Sequence, residues 1–242
     1  MNFIDTHFHL DLWNDPKTFV DEIEKNKIYT IAVTNTPSVF FHTYNLTENS
    51  KYIRPALGFH PELVYERKNE LPVFLENLKK TRYIGEIGLD YSKQSDTNKK
   101  EQRGIFEKII TACSEHNDKI LTIHSRGSSK EILDIIGNNF PNRVIMHWYS
   151  GSIKELNRAI DYGFYFSVNS PMTKSERGEK IISSIPSDKI LTESDGPFTK
   201  IGNEKCSPLV IHEIVDRISN IIKTDTISCK KQIYDNFSSM LR

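Results

Sequence analysis

Short β-branched or aromatic runs alternate with helix-period segments from one end of this chain to the other. That alternation restricts its fold more than any other feature. Eight runs read as strands, near residues 3–8, 29–34, 53–59, 83–89, 119–124, 143–148, 162–168 and 189–194. Helical patterns lie between them: Thr18 to Lys27, Val39 to Asn49, Leu71 to Lys80, Gln102 to Glu115, Lys130 to Phe140, Ile153 to Tyr162 and Ser175 to Ser184. Two more, Leu209 to Ile222 and Ser228 to Met240, close the chain. The Gln102–Glu115 segment carries the period most plainly, with Ile105, Phe106, Ile109, Ile110 and Cys113 on one stripe. Strands separated by helices pair in parallel through crossovers. About eight such units in 242 residues predict an α/β fold, a (β/α)8 TIM barrel, as a single domain over residues 1–242. An open doubly wound sheet would call for a glycine-rich first turn, which is lacking. There is no internal repeat, low-complexity tract or linker.

A barrel collects its chemistry at the C-terminal ends of its strands. The first strand ends in His7 and His9, two positions apart and therefore on one side. The third runs into His60-Pro61. The fourth, Tyr83 to Asp90, holds Glu86 inside an otherwise apolar run. The fifth leads into His124-Ser125-Arg126, the sixth into His147, and the eighth into Thr192-Glu193-Ser194-Asp195. Taken singly, His124 or His147 reads as a satisfied core histidine, and Asp195 before Gly196-Pro197 as a turn residue. Glu86 without a cation would cost several kcal/mol. One explanation uses them all, and it is a metal centre. Histidine and carboxylate donors without cysteine suit Zn, Mn or Mg and do not choose among them. The donors exceed one ion's need. Two divalent ions are expected, ~3.5–4 Å apart with one bridging carboxylate. Glu86 is the expected bridge, with His7, His9 and Asp195 completing one shell and His124 and His147 holding the other ion. Glu193, on the opposite face of its strand from Thr192, receives no role.

Lys+Arg and Asp+Glu both number 32, so net charge is zero and any affinity for a polyanion must be local. No apolar run approaches a membrane span, and the N-terminal residues do not resemble a signal peptide, so a cytoplasmic protein without a membrane partner is expected. Cys113, Cys206 and Cys229 are odd in number and far apart, which suggests reduced, packed thiols.

The H-x-H, Gly58-Phe59-His60-Pro61, Gly85-Glu86-Ile87-Gly88-Leu89-Asp90, Ile123-His124-Ser125-Arg126, His147-x-x-Ser150-Gly151 and Thr192-Glu193-Ser194-Asp195-Gly196-Pro197 segments together resemble the TatD deoxyribonucleases. These are metal-dependent hydrolases of the amidohydrolase superfamily. The resemblance spans residues 5 to 197. It implies a TIM barrel and a divalent-metal DNase, often 3′→5′ exonucleolytic, with ligand roles on His7, His9, Glu86, His124, His147 and Asp195. Phe8 to Trp13, Thr34 to Ser38, His147 to Gly151 and Thr192 to Phe198 are similar to the TatD-like component of the Qat anti-phage defence systems. That similarity implies a role in antiviral defence beside other system proteins. Two segments depart from the family pattern: Trp148-Tyr149 stands where Cys-Phe is usual, and Cys206-Ser207-Pro208 where Asn-Glu-Pro is common. Both lie at the substrate mouth.

The expected reaction is DNA phosphodiester hydrolysis by a water that two metal ions activate, with Asp195 as general base and Glu86 beside it. His60 and Arg126 are the candidate phosphate contacts, Arg126 through its bidentate fork, although a surface ion pair is the equal alternative for Arg126. A single-strand groove would draw on Lys93, Lys99, Lys100, Arg126, Lys130, Lys174, Arg177, Lys200 and Lys205, with Tyr91, Trp148, Tyr149 and Phe198 as stacking surfaces. DNA, single-stranded rather than duplex, is the expected partner. A small-molecule deacylase or lactonase would share the barrel and metals. A non-catalytic, metal-stabilised scaffold of a defence complex is the third reading.

Overall fold

The computed structural model describes residues 1–242. In chain order the elements are β1 (Ile4–Phe8), α1 (Pro16–Asn26), β2 (Tyr29–Ala32), α2 (Pro37–Thr47), β3 (Ile53–Pro55), α3 (Pro61–Arg67) and α4 (Leu71–Asn77). There follow β4 (Tyr83–Gly88), α5 (Asp96–Ser114), β5 (Ile120–His124), α6 (Ser129–Ile136), β6 (Arg143–His147), α7 (Ile153–Asp161), β7 (Tyr165–Val168) and α8 (Glu176–Ser184). The chain ends with β8 (Ile190–Thr192), a small hairpin of β9 (Lys200–Ile201) and β10 (Glu204–Lys205), then α9 (Ile211–Ile221) and α10 (Thr226–Met240).

β1 to β8 pair in parallel and in sequence order, as β1-β2-β3 and β4-β5-β6-β7-β8. Two seams join these arcs into a TIM barrel. At β3–β4, Leu57 N–H donates to Tyr83 O (3.0 Å) and Gly85 N–H to Leu57 O (2.8 Å). At β8–β1, Asp195 N–H donates to His7 O (2.9 Å) and His9 N–H to Gly196 O (3.1 Å), and the Thr192 hydroxyl donates to Ile4 O (2.5 Å). The second seam sets the first and last strand ends side by side.

Local chemistry sets the helix ends. Asp15, Ser95, Ser152, Ser175 and Asp225 cap α1, α5, α7, α8 and α10, each side-chain oxygen accepting a first-turn N–H. Ser95 starts α5 at Asp96, six residues ahead of Gln102, where the sequence pattern begins; Ile105, Phe106, Ile109, Ile110 and Cys113 are all buried against the barrel. α3, beginning at Pro61, is not signalled by periodicity, because it spans only seven residues. All three cysteines are free and buried. β4 and β5 approach unusually closely at Gly88, where a Cβ would lie 2.1 Å from the His124 carbonyl oxygen. No helix is long and apolar enough to cross a membrane.

Candidate metal centre

The ends of β1, β4, β5, β6 and β8 converge on one cavity of about 610 Å³, which His9, His60, Glu86, His124, His147 and Asp195 line. Glu86 stands at its floor, buried, with its two oxygens facing different partners. Oε2 lies 3.4 Å from His7 Nε2 and 3.5 Å from His9 Nε2. Oε1 lies 2.6 Å from His124 Nδ1, 3.6 Å from His147 Nε2 and 3.6 Å from His60 Nε2. Asp195 Oδ1 completes the first group, 3.9 Å from His7 Nε2 and 3.6 Å from His9 Nε2. His7 and His9 face each other through Nε2 at 3.2 Å.

Those spacings test the metal reading. Four donors about 2.0–2.1 Å from a common centre in a tetrahedron stand about 3.3–3.4 Å apart. The His7 and His9 nitrogens lie 3.2 Å from each other and 3.4 to 3.9 Å from the nearest Glu86 and Asp195 oxygens. Tautomers agree. The Thr122 hydroxyl lies 2.9 Å from His7 Nδ1, and Glu193 Oε2 lies 2.8 Å from His147 Nδ1. A proton on each Nδ1 leaves the Nε2 lone pair directed inward. His124 is turned the other way: Asp90 Oδ2 takes Nε2 at 2.8 Å, leaving Nδ1 for the centre. The His7, His9 and Asp195 donors are therefore close enough together to hold a metal ion, with Glu86 and His124 in a second group of donors beside them.

His60 differs. Its Nδ1 accepts the Glu62 N–H at 3.2 Å as the cap of α3, so the neutral ring carries its proton on Nε2, the atom that faces Glu86. It is a donor into the cavity, although its distances alone group it with Glu86 and His124. Likewise Glu193, which distance groups with His7 and His147, has its oxygens engaged by His147, Ser167 and Asn169 Nδ2 (2.9 Å). It is committed to orienting His147.

The electrostatics follow. Burial would raise Glu86, but the charges of His60 and His7 and the His124 hydrogen bond hold it well below the ordinary carboxylate value. Burial and neighbouring His147 push His7 down to about 3, against the pull of Glu86. Burial pushes His60 down to about 4. Burial would also lower His147 and His124, but Glu193 and Asp195 raise the first to about 10, and hydrogen bonds to Asp90 and Glu86 raise the second to about 9. Glu62, Glu86, Asp90 and Asp195 line the cavity with Arg126 as its one permanent cation. That excess of carboxylates suits bound divalent ions.

Arg126 stands at the rim, more than half exposed, its Nε 3.0 Å from Asp90 Oδ2 and its Nη2 3.6 Å from Glu62 Oε1. The other expected groove cations do not line the cavity. Lys130 pairs with Asp134 (3.2 Å), Lys99 with Asp96 (3.6 Å), and Lys174 and Arg177 donate to the backbone carbonyls of Lys200 and of Ser150 and Gly151. Of the expected stacking residues, Tyr149 is buried with its hydroxyl on Ser152 O (2.7 Å), and Tyr91 lies in a separate surface hollow. Trp148 and Phe198 remain at the mouth. Sequence reasoning missed Glu193, Asp90 and Thr122. An acid in an apolar strand is the signal that marks Glu86, and it would have marked Glu193 as well.

The family model described as TatD related DNase matches residues 4–242. The chain is 28% identical to an uncharacterized metal-dependent hydrolase of Methanocaldococcus jannaschii, over 98% of this chain and 95% of that protein. It is 23% identical to the human deoxyribonuclease TATDN3, over 96% and 93% of the two chains. In fold it is similar to the crystal structure of a TatD homolog of Escherichia coli, with a TM-score of 0.88 at 19% identity, covering 98% of this chain and 97% of the other.

Proposed function

Because the chain belongs to the TatD-related DNase family of metal-dependent hydrolases, we propose that it hydrolyses DNA phosphodiester bonds at the barrel mouth. The observation that carries this reading is Glu86, whose two oxygens face two separate histidine groups at the floor of a cavity open to solvent. His7, His9, Glu86 and Asp195 would hold one divalent ion, and Glu86, His124 and His147 the other. Ions bound there supply Lewis acidity toward a phosphoryl oxygen and make water a stronger acid. The family name and the human relative's name support DNA as the substrate.

Within that reading the side chains divide the work. Asp195, buried and held by the Asp195 N–H to His7 O bond at the barrel seam, takes the proton of the attacking water. His60, neutral near pH 7, donates from Nε2 to a phosphate oxygen. Its ring is held by the α3 cap bond at Nδ1, so the donor is aimed before substrate arrives. Arg126 offers its guanidinium at the rim once the phosphate competes with Glu62 for Nη2. Glu193 and Asp90 keep His147 and His124 in their tautomers. The setting we propose is phage defence, supported by the segments that resemble the Qat component.

Purified protein incubated with Mg, Mn or Zn and single-stranded DNA tests this. We expect digestion that chelator abolishes and that Asp195→Asn reduces at least about 100-fold. Intact DNA with every ion, alongside turnover of an ester or amide panel, would replace the nuclease with a small-molecule hydrolase. Full phage protection by Asp195→Asn cells would instead make the protein a scaffold.

A further inference from the structure

Resting on the nuclease reading, we infer that Trp148 is a specificity-determining residue: its indole stacks on the unpaired base of the nucleotide whose phosphate occupies the candidate metal centre. Three consecutive residues at the end of β6 carry the argument. His147 turns into the centre, with Nδ1 on Glu193 (2.8 Å). Tyr149 turns into the core, almost fully buried, with its hydroxyl on Ser152 O (2.7 Å). Trp148 between them has φ of 37°, a left-handed conformation that bulky residues rarely adopt. That turn sends the indole out into the cavity, 36% exposed, with its ring 6.3 Å from that of His147 and nearly perpendicular to it. Both flanks are anchored, so the backbone presenting the indole is fixed. Backbone strain retained at a cavity mouth to expose a large apolar side chain points to a ligand.

The charge distribution indicates what the ligand offers. Arg126 is the cavity's one permanent cation, already paired with Asp90 and Glu62. Beyond the ion-binding centre, a nucleic acid meets carboxylates. Affinity for the rest of the nucleotide must come from uncharged contact, and Trp148 and Phe198 are the largest uncharged surfaces lining the cavity. Phe198, 58% exposed, sets its ring edge-on to His9 at 5.0 Å and widens the aromatic side of the mouth. The indole lies 6.3 Å from the ring of His147, a candidate ligand, so a phosphate at the centre and the base joined to it through one sugar can be met together. A base lying on the indole has left its duplex partner, so the site selects single strands or frayed ends.

The test compares single-stranded oligonucleotides carrying either a normal nucleotide or an abasic tetrahydrofuran residue at the cleaved position, with the parent, Trp148→Ala and Trp148→Phe. The parent's kcat/KM should favour the base-bearing substrate by about tenfold, within the range stacking supplies. That ratio should fall to about 1 in Trp148→Ala and lie between in Trp148→Phe. A ratio near 1 in the parent, or one unchanged in Trp148→Ala, overturns the inference. A second readout needs no hydrolysis. Only Trp13 and Trp148 fluoresce as tryptophans. Quenching of metal-loaded protein by dAMP but not by deoxyribose 5-phosphate, lost in Trp148→Phe, supports stacking even if no DNA is cut, in which case the nuclease reading alone fails. Equal quenching by both probes, with DNA cleavage intact, removes the stacking role alone.

Discussion

At the scale of single residues, the centre depends on which nitrogen of each imidazole carries the proton. Glu193 decides this for His147: it is buried, accepts from Ser167 and from Asn169, and leaves its remaining acceptor capacity to His147 Nδ1. Glu193→Gln keeps the shape and removes the charge that raises His147. We expect divalent-ion affinity at the His147 side of the candidate centre to fall about tenfold or more, as loss of such partners elsewhere costs. A chelator-competition titration reads this, and an unchanged affinity would leave Glu193 a packing residue. The convergence of the candidate ligands was legible in the sequence, because strands that all end at one mouth bring their last residues together. Their partners were not. Glu193 is 46 positions from His147, and Asp90 is 34 from His124. Only the barrel brings them into reach: β4 pairs with β5, and β6 and β8 flank β7.

At the scale of elements, β4 and β5 meet at Gly88 with no room for a side chain. A Cβ there would lie 2.1 Å from His124 O, on a residue with φ of 141°. Gly88→Ala must push the His124 end of β5 away, destabilising the fold by about 1–3 kcal/mol and displacing a candidate ligand. Gly104, within α5, has nothing within 4 Å of its Cβ position. Gly104→Ala should stabilise by about 0.4–1 kcal/mol through helix propensity and the unfolded chain. Urea unfolding of both variants checks the opposite signs; a shared sign would contradict the packing described. Apolar periodicity identified the long helices but placed the start of α5 too late, because its first turn is polar and its start is set by the Ser95 cap.

At the scale of the whole molecule, metal uptake and proton uptake compete for one buried cluster. His124 and His147, at about 9 and about 10, exceed the unfolded value of 6.5. Their contribution to the stability of metal-free protein is fully present below about pH 6.5 and is lost as pH rises through 9 to 10. His7, at about 3, has the opposite sign: its contribution is present above about pH 6.5 and is lost as pH falls toward 3. A divalent ion needs these nitrogens unprotonated, so its stabilising effect should grow with pH. At 100 times Kd it contributes about 2.7 kcal/mol, or about 5–10 °C in Tm for a chain of this length. Calorimetry with and without chelator at about pH 6 and about pH 9 measures the gap, and a gap that shrinks with pH would contradict the arrangement. The sequence by itself determined the barrel and the residues at its mouth, because strand and helix periods are local and a parallel barrel puts every strand's C-terminal end on one face. Tertiary structure alone decided that Glu86 divides its oxygens between two histidine groups, that His60 carries its proton on Nε2, and that Trp148 faces the cavity while Tyr149 joins the core. Those outcomes depend on contacts across strands and on one left-handed residue, and neither leaves a periodic trace in the chain.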